Sequence, residues 1–135
     1  MATVTAKLTL TSSNTPSDSL NLTVTDTLSV LGQINRKTIV TSTTAAVFAT
    51  AAGYTDAYVF LKNKSSTAAE IIHIRVGATD SADVMSLGAG EFTIFPWSSD
   101  ENLVYDAASG TPVLEVMIFQ MEVKERHWLL FFIIC

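Results

Sequence analysis

Charge is scarce in this chain: only 16% of its 135 residues are Asp, Glu, Lys or Arg, and the formal net charge is -5. The eight Lys and Arg residues are dispersed from Lys7 to Arg126 without a cluster. Duplex nucleic acid needs a basic stripe to replace its condensed counterions, so direct DNA or RNA binding is not expected. Cysteine is nearly absent. With Cys135 alone, no disulfide forms within the chain and thiol-rich zinc sites are excluded, which suits assembly in a reducing cytoplasm. The opening Met1-Ala2-Thr3-Val4-Thr5-Ala6-Lys7 has no apolar h-region, so export by a secretory signal is not expected. Amphipathic helical periodicity is missing too, which excludes doubly wound folds.

What is present is alternation. Val4, Ala6, Leu8 and Leu10 alternate with Thr3, Thr5, Lys7, Thr9 and Thr11, the period-two pattern of a strand with one buried face. The turn-rich stretch Ser12 to Ser19 separates it from a second alternation at Leu20, Leu22, Val24, Leu28 and Val30. The two copies read as a hairpin or arm over residues 1–31. Further strands are expected at Lys37 to Thr41, Ala57 to Lys62, Glu70 to Val76, Val84 to Leu87, Glu91 to Trp97, Leu103 to Asp106 and Val113 to Gln120. Thr44 to Ala52 is compatible with helix or strand, and its Val, Phe and Thr content favours strand.

The run from Ala57 to Lys62 is apolar on both faces and is expected in the middle of the core, forming a hairpin with Glu70 to Val76. Pro96 marks a strand end or an edge, because it lacks a ladder donor. Short strands separated by turn signals predict an all-β protein, an antiparallel β-sandwich or jelly roll over residues 32–120. An apolar tail follows at 121–135.

That tail contains the one long hydrophobic run, Trp128-Leu129-Leu130-Phe131-Phe132-Ile133-Ile134-Cys135. It is far short of the roughly 20 apolar residues of a transmembrane helix, so no membrane span is expected. Left in water it would aggregate, so it must be covered by the protein's own core, a partner subunit or a lipid surface, as an extension of the preceding strand or as a terminal helix; association with sister copies or a larger shell is the leading expectation. Trp128, Leu129, Leu130, Phe131, Phe132, Ile133 and Ile134 are therefore candidate interface residues. Phe95 and Trp97 join them, since large aromatics at a strand end anchor subunit contacts as readily as they fill a core.

No constellation announces a reaction, and no catalytic residue, metal or cofactor is expected. The Gly88-Ala89-Gly90 turn suggests a phosphate loop, but such a loop needs a following helix, and Glu91 to Phe95 reads as strand; a hairpin turn fits better. His73, between Ile72 and Ile74, and His127 have no Asp or Ser at triad spacing, and each reads as a packing or surface histidine. Asp80, Ser81 and Asp83 offer oxygen ligands for calcium without the EF-hand cadence, and read as a solvated loop. Asp100, Glu101 and Asp106 are carboxylates of the kind glycosidases pair, yet such residues are ordinary on a strand edge. A cupin-like metal enzyme would need more histidines than two.

Read together, Tyr58-Val59-Phe60-Leu61-Lys62-Asn63, Leu87-Gly88-Ala89-Gly90-Glu91-Phe92, Phe95-Pro96-Trp97 and Gly110-Thr111-Pro112-Val113-Leu114-Glu115-Val116 resemble small structural proteins of tailed bacteriophages, especially those of cyanobacterial and marine hosts. The Thr-rich opening is similar as well, and the resemblance runs from about Thr3 to Gln120. It implies a virion component, a capsid decoration or cement protein with a jelly-roll core, seated on the capsid surface against the major capsid protein as an oligomer, often a homotrimer. Tail and fibre proteins share such sandwiches, so a carbohydrate-binding adhesin with Trp97 or Tyr105 stacking on sugar is the alternative. The chain departs from the pattern after Gln120. Deleting Trp128 to Cys135 is expected to convert an oligomer to smaller species or to insoluble protein, and sedimentation of an unchanged soluble oligomer would remove the tail from the interface.

Overall fold

The computed structural model describes residues 2–14 and 20–121. These form strands β1 (Ala2–Ser12), β2 (Leu20–Val40), β3 (Ala46–Ala49), β4 (Ala57–Asn63), β5 (Ile72–Val76), β6 (Asp83–Leu87), β7 (Phe92–Trp97), β8 (Leu103–Ala107) and β9 (Val113–Met121). The ambiguous segment after Thr44 is strand over β3, then a single 3-10 turn at Ala51–Gly53. Among the described residues no helix is long and apolar enough to cross a membrane.

The strands build two antiparallel sheets, a five-stranded one in the order β1-β2-β9-β4-β7 and a four-stranded one in the order β3-β8-β5-β6. The chain is an all-β sandwich. From β2 onward the pairing is nested: β2 with β9, β3 with β8, β4 with β7 and β5 with β6. That is the order of one long hairpin folded over on itself.

Two sequence expectations are corrected by this winding. The runs Ala57 to Lys62 and Glu70 to Val76 do not form a hairpin, because β4 lies in the five-stranded sheet and β5 in the other. The Gly88-Ala89-Gly90 turn is likewise no hairpin turn, since it carries the chain from β6 in one sheet to β7 in the other. Both errors have one cause: in this nested order only β1 with β2 and β5 with β6 pair among consecutive strands, and apolar alternation says nothing about which strand lies alongside. The expected central run does lie centrally, with β4 between β9 and β7. Pro96 is on β7, an edge strand, where a missing donor interrupts the least pairing.

Alternation places the core. Val59 and Leu61 of β4, Ile72 and Ile74 of β5, Leu103 of β8 and Leu114, Val116 and Ile118 of β9 point between the sheets and are inaccessible or nearly so. Each such side chain contributes on the order of 1.5–3 kcal/mol by leaving water. Phe48 and Trp97 close the sides of this cluster.

One end of the sandwich is fastened by a polar residue. Asn63, at the end of β4, is wholly buried. Its Nδ2 donates to the carbonyls of Glu70 (2.8 Å) and Leu87 (2.9 Å), and its Oδ1 accepts from the Ser65 amide (3.0 Å). Its backbone N–H donates to Glu91 O (3.0 Å) and its carbonyl accepts from Gly90 N (2.9 Å). One side chain thus satisfies the entry to β5, the exit of β6 and the loop after β4. Replacing Asn63 by Ala strands three buried backbone groups, each worth about 1–3 kcal/mol. We expect Asn63→Ala to lower stability in urea denaturation by about 2–5 kcal/mol; a loss under about 1 kcal/mol would show that this end of the sandwich is held by something else.

Candidate functional site

The first 11 residues of β2, Leu20 to Val30, pair with β1 in strict register from Ala2↔Val30 to Ser12↔Leu20. Ladder pairing with β9 begins only at Val30↔Met121, with a bulge before Ile34↔Phe119. Among the described residues, therefore, β1 is the sole strand alongside Leu20 to Ser29, and the ribbon is a two-stranded arm roughly 35 Å long at ~3.3 Å per residue.

Its two faces differ sharply. The register puts Ala2, Val4, Ala6, Leu8 and Leu10 on the same face as Leu20, Leu22, Val24, Leu28 and Val30, interrupted by Asp26 and ending in Ser12 opposite Leu20. The opposite face is Thr3, Thr5, Lys7, Thr9, Thr11, Asn21, Thr23, Thr25, Thr27 and Ser29. At the base of the arm the aliphatic face is covered: Leu28 and Val30 are buried with Phe119, and Ala2, Val4, Ala6, Tyr58, Phe60, Met117 and Met121 pack around them. Tyr58, Phe60, Met117 and Phe119 alternate with the core residues of β4 and β9, so this second cluster lies on the outer face of the five-stranded sheet.

Further out the cover ends. Leu8, Leu10, Leu20, Leu22 and Val24 are each 41–50% exposed, with Leu8 opposite Val24 and Leu10 opposite Leu22. The outer sheet face is also left open at its far edge, where Phe92 is 62% and Ile94 44% exposed and the Phe92 ring stacks on Phe60 with centroids 6.4 Å apart. Isolated exposed leucines are unremarkable on a surface. A contiguous aliphatic ribbon is the mark of an interaction site.

The residues singled out from sequence fall elsewhere. Trp97 is 5% exposed, its ring in the main core beside Tyr54 and its Nε1 donating to Glu101 O at 3.1 Å. Phe95 packs half-buried against the same core. Tyr105 is half-buried next to Phe48. A ring placed like that of Trp97 has no free face to stack on a sugar. Trp128, Leu129, Leu130, Phe131, Phe132, Ile133 and Ile134 lie outside the described residues, as does His127. The Gly88 N–H donates to the Glu91 carboxylate (2.7 Å), which already fills the place a phosphate would take in that turn.

A second feature lies on the outer face of the four-stranded sheet. His73 and Arg75 alternate with Ile72 and Ile74 on β5; Asp106 is directly opposite His73 on β8, and Asp83 is opposite Arg75 at the start of β6. Arg75 Nε donates to Asp83 Oδ1 (2.7 Å) and Nη2 to Asp106 Oδ2 (2.8 Å), while Nη1 reaches the Thr79 carbonyl. His73 Nδ1 faces Asp106 Oδ1 at 3.2 Å and Asp83 Oδ2 at 3.5 Å. The Arg75 hydrogen bond holds the Asp83 carboxyl below its ordinary value, helped by the charges of His73 and Arg75, and the same bond raises the guanidinium further.

In the sequence these residues stand apart: Asp83 is close to Asp80, and Asp106 to Asp100 and Glu101, but Asp80, Asp100 and Glu101 are exposed loop residues that take no part in the cluster. The one usable signal was polar His73 and Arg75 on the alternate face of an apolar strand. The partners came from strand order, which the sequence does not spell out.

Neither the scan against protein-family models nor the searches of curated proteins and of solved structures found a match. The class is therefore defined by geometry alone: an antiparallel sandwich carrying a one-sided apolar arm and a charged cluster on the far sheet.

The Asp83 ion pair has a defined pH signature. Because its folded-state pKa lies below that of the unfolded chain, roughly 3.9, its contribution is complete above that value and fades as pH falls through the folded one. Asp83→Asn is expected to be less stable than the parent at pH 7, with the difference in urea midpoint shrinking as pH falls below about 3.9. A difference that persists unchanged in acid would assign the effect to packing instead of charge.

Proposed function

We propose that this chain is a non-enzymatic structural subunit of a virus particle, a capsid decoration or cement protein of a tailed bacteriophage that works as a homo-oligomer. The observation that carries the reading is the aliphatic face of the arm at Leu8, Leu10, Leu20, Leu22 and Val24, which the described residues leave in water. The occupant we assign to it is a sister copy. At its base the same face is already seated on the outer side of its own sheet, against Phe119, Tyr58 and Phe60, and that surface continues uncovered to Phe92 and Ile94. A neighbouring protomer offers the same chemistry, so an arm laid on the next subunit's sheet buries two exposed apolar surfaces at once.

Such an arm-onto-sheet contact joins unlike surfaces and closes into a ring when the rotation permits; a trimer is the count that the resemblance to phage structural proteins implies. Decoration is then mechanical. Each ring spans several shell subunits, and multivalent seating against the major capsid protein raises effective affinity without one strong contact. The particle itself enters from the resemblance of the strand and turn wording to phage structural proteins; the arm supports assembly of copies.

The test keeps the ribbon and removes its grease. Leu10 and Leu22 are cross-strand partners, so Leu10→Glu combined with Leu22→Lys substitutes an ion pair that the arm tolerates. In sedimentation velocity at micromolar concentration the parent is expected to run as an oligomer and the double variant as a monomer. Immunogold labelling of intact particles is expected on heads. A monomeric parent, or a double variant with the parent's sedimentation coefficient, overturns the role of the arm; absence of label on particles overturns the virion assignment.

A further inference from the structure

We propose that His73, Asp83 and Asp106 form a binding site for a divalent cation of the zinc class, independent of the assembly surface. Three observations converge on it. The first is the donor set, one imidazole nitrogen and two carboxylate oxygens brought from β5, β6 and β8 within 4.8 Å of one another. A His with two carboxylates suits zinc and its neighbours in the first transition row better than calcium, which prefers oxygen alone.

The second is spacing. Donors about 2.05 Å from a tetrahedral ion are separated by the edge of the tetrahedron, roughly 3.3–3.5 Å. Two of the three edges match: His73 Nδ1 lies 3.2 Å from Asp106 Oδ1 and 3.5 Å from Asp83 Oδ2, while the two carboxylate oxygens lie within 4.8 Å of each other and would close in on an ion. The 3.5 Å separation is a poor hydrogen bond but a good ligand–ligand edge.

The third is an unpaired atom. Among the described residues, Asp106 Oδ1 is the one buried side-chain oxygen or nitrogen without a hydrogen-bond partner, His73 Nδ1 lying 3.2 Å away but outside hydrogen-bond alignment. A carboxylate oxygen shut away from water is costly unless something positive meets it. Arg75 cannot be that group, because its Nε and Nη2 are taken by the other oxygens, Asp83 Oδ1 and Asp106 Oδ2. Arg75 instead orients both carboxylates and turns Oδ2 of Asp83 and Oδ1 of Asp106 toward His73, as an outer-shell residue does around a metal. Two carboxylates and one guanidinium leave a charge of -1, which a divalent cation converts to +1 and a protonated imidazole to zero. Proton and metal therefore compete for the same place.

Three protein ligands leave a fourth position toward solvent, since Asp83 is exposed and His73 half-buried. Bound there, the ion would tie β5 to both its neighbours in the four-stranded sheet, and a ligand of the native state alone raises its stability by mass action.

The test uses the full chain stripped with chelator. Calorimetric titration with zinc chloride at pH 7.5 is expected to give one tight site per chain, and zinc but not calcium or magnesium to raise the melting temperature. Cobalt in place of zinc is expected to give the visible absorption of a low-coordinate N/O site. His73→Ala and Asp106→Asn are each expected to weaken zinc binding at least tenfold, whereas His127→Ala combined with Cys135→Ser leaves it intact. No stoichiometric zinc binding by the parent, or binding that follows His127 and Cys135 instead of His73, overturns the proposal. Should the single variants fail to fold, loss of the His73 imidazole resonance shift on adding zinc to the parent, read by NMR, overturns it equally.

Discussion

One strand holds two structures together. β2 is 21 residues long; its second half is laddered to β9 in the sandwich and its first half to β1 in the arm. Backbone pairing fixes both registers, and because side chains alternate with period two, a slip of one residue would turn the arm's leucines to the threonine face and vice versa. The bulge between Val30 and Ile34 is where one ladder gives way to the other. A bulge adds local bend and twist, which is consistent with an arm base that packs over the outer sheet face.

The two outer faces of the sandwich have acquired opposite characters from this. On the five-stranded sheet, Tyr58, Phe60, Met117 and Phe119 make a second apolar layer that the arm only half covers. On the four-stranded sheet the outer positions hold His73, Arg75, Asp83 and Asp106, a compact polar network. Exposed apolar area is thus concentrated on the first face and paired charge on the second. The arm also carries an exposure hazard, since β1 is an edge strand with an open ladder. Threonines and Lys7 on its other face keep that edge hydrated, a common way of limiting uncontrolled pairing.

Polar residues do a different task at the end of the roll. Among the described residues Asn63 and Thr41 are the two buried polar side chains, and both bond to backbone carbonyls across long stretches of chain: Asn63 to Leu87, Thr41 Oγ1 to Pro112 O at 2.6 Å. Backbone groups at loop entries have no ladder partner, so a side-chain amide or hydroxyl placed there satisfies what the sheets cannot.

Strand positions were legible in the chain because burial on one face leaves a period-two trace: Val4 to Leu10 and Leu20 to Val30 are strands as that trace predicts, but of the face expected to be buried only the base is covered, and Leu8, Leu10, Leu20, Leu22 and Val24 stay exposed. The one-sided arm was legible for the same reason. Partnership was not. Ala57 to Lys62 and Glu70 to Val76 looked like hairpin mates and lie in different sheets, and Trp97, a candidate surface anchor equally suited to the core, has its ring there. Alternation records which side of a strand is dry, a local property. Which strand lies alongside is set by how the long hairpin rolls, and only that winding brought His73, Asp83 and Asp106, far apart in sequence, to within a few ångströms of one another.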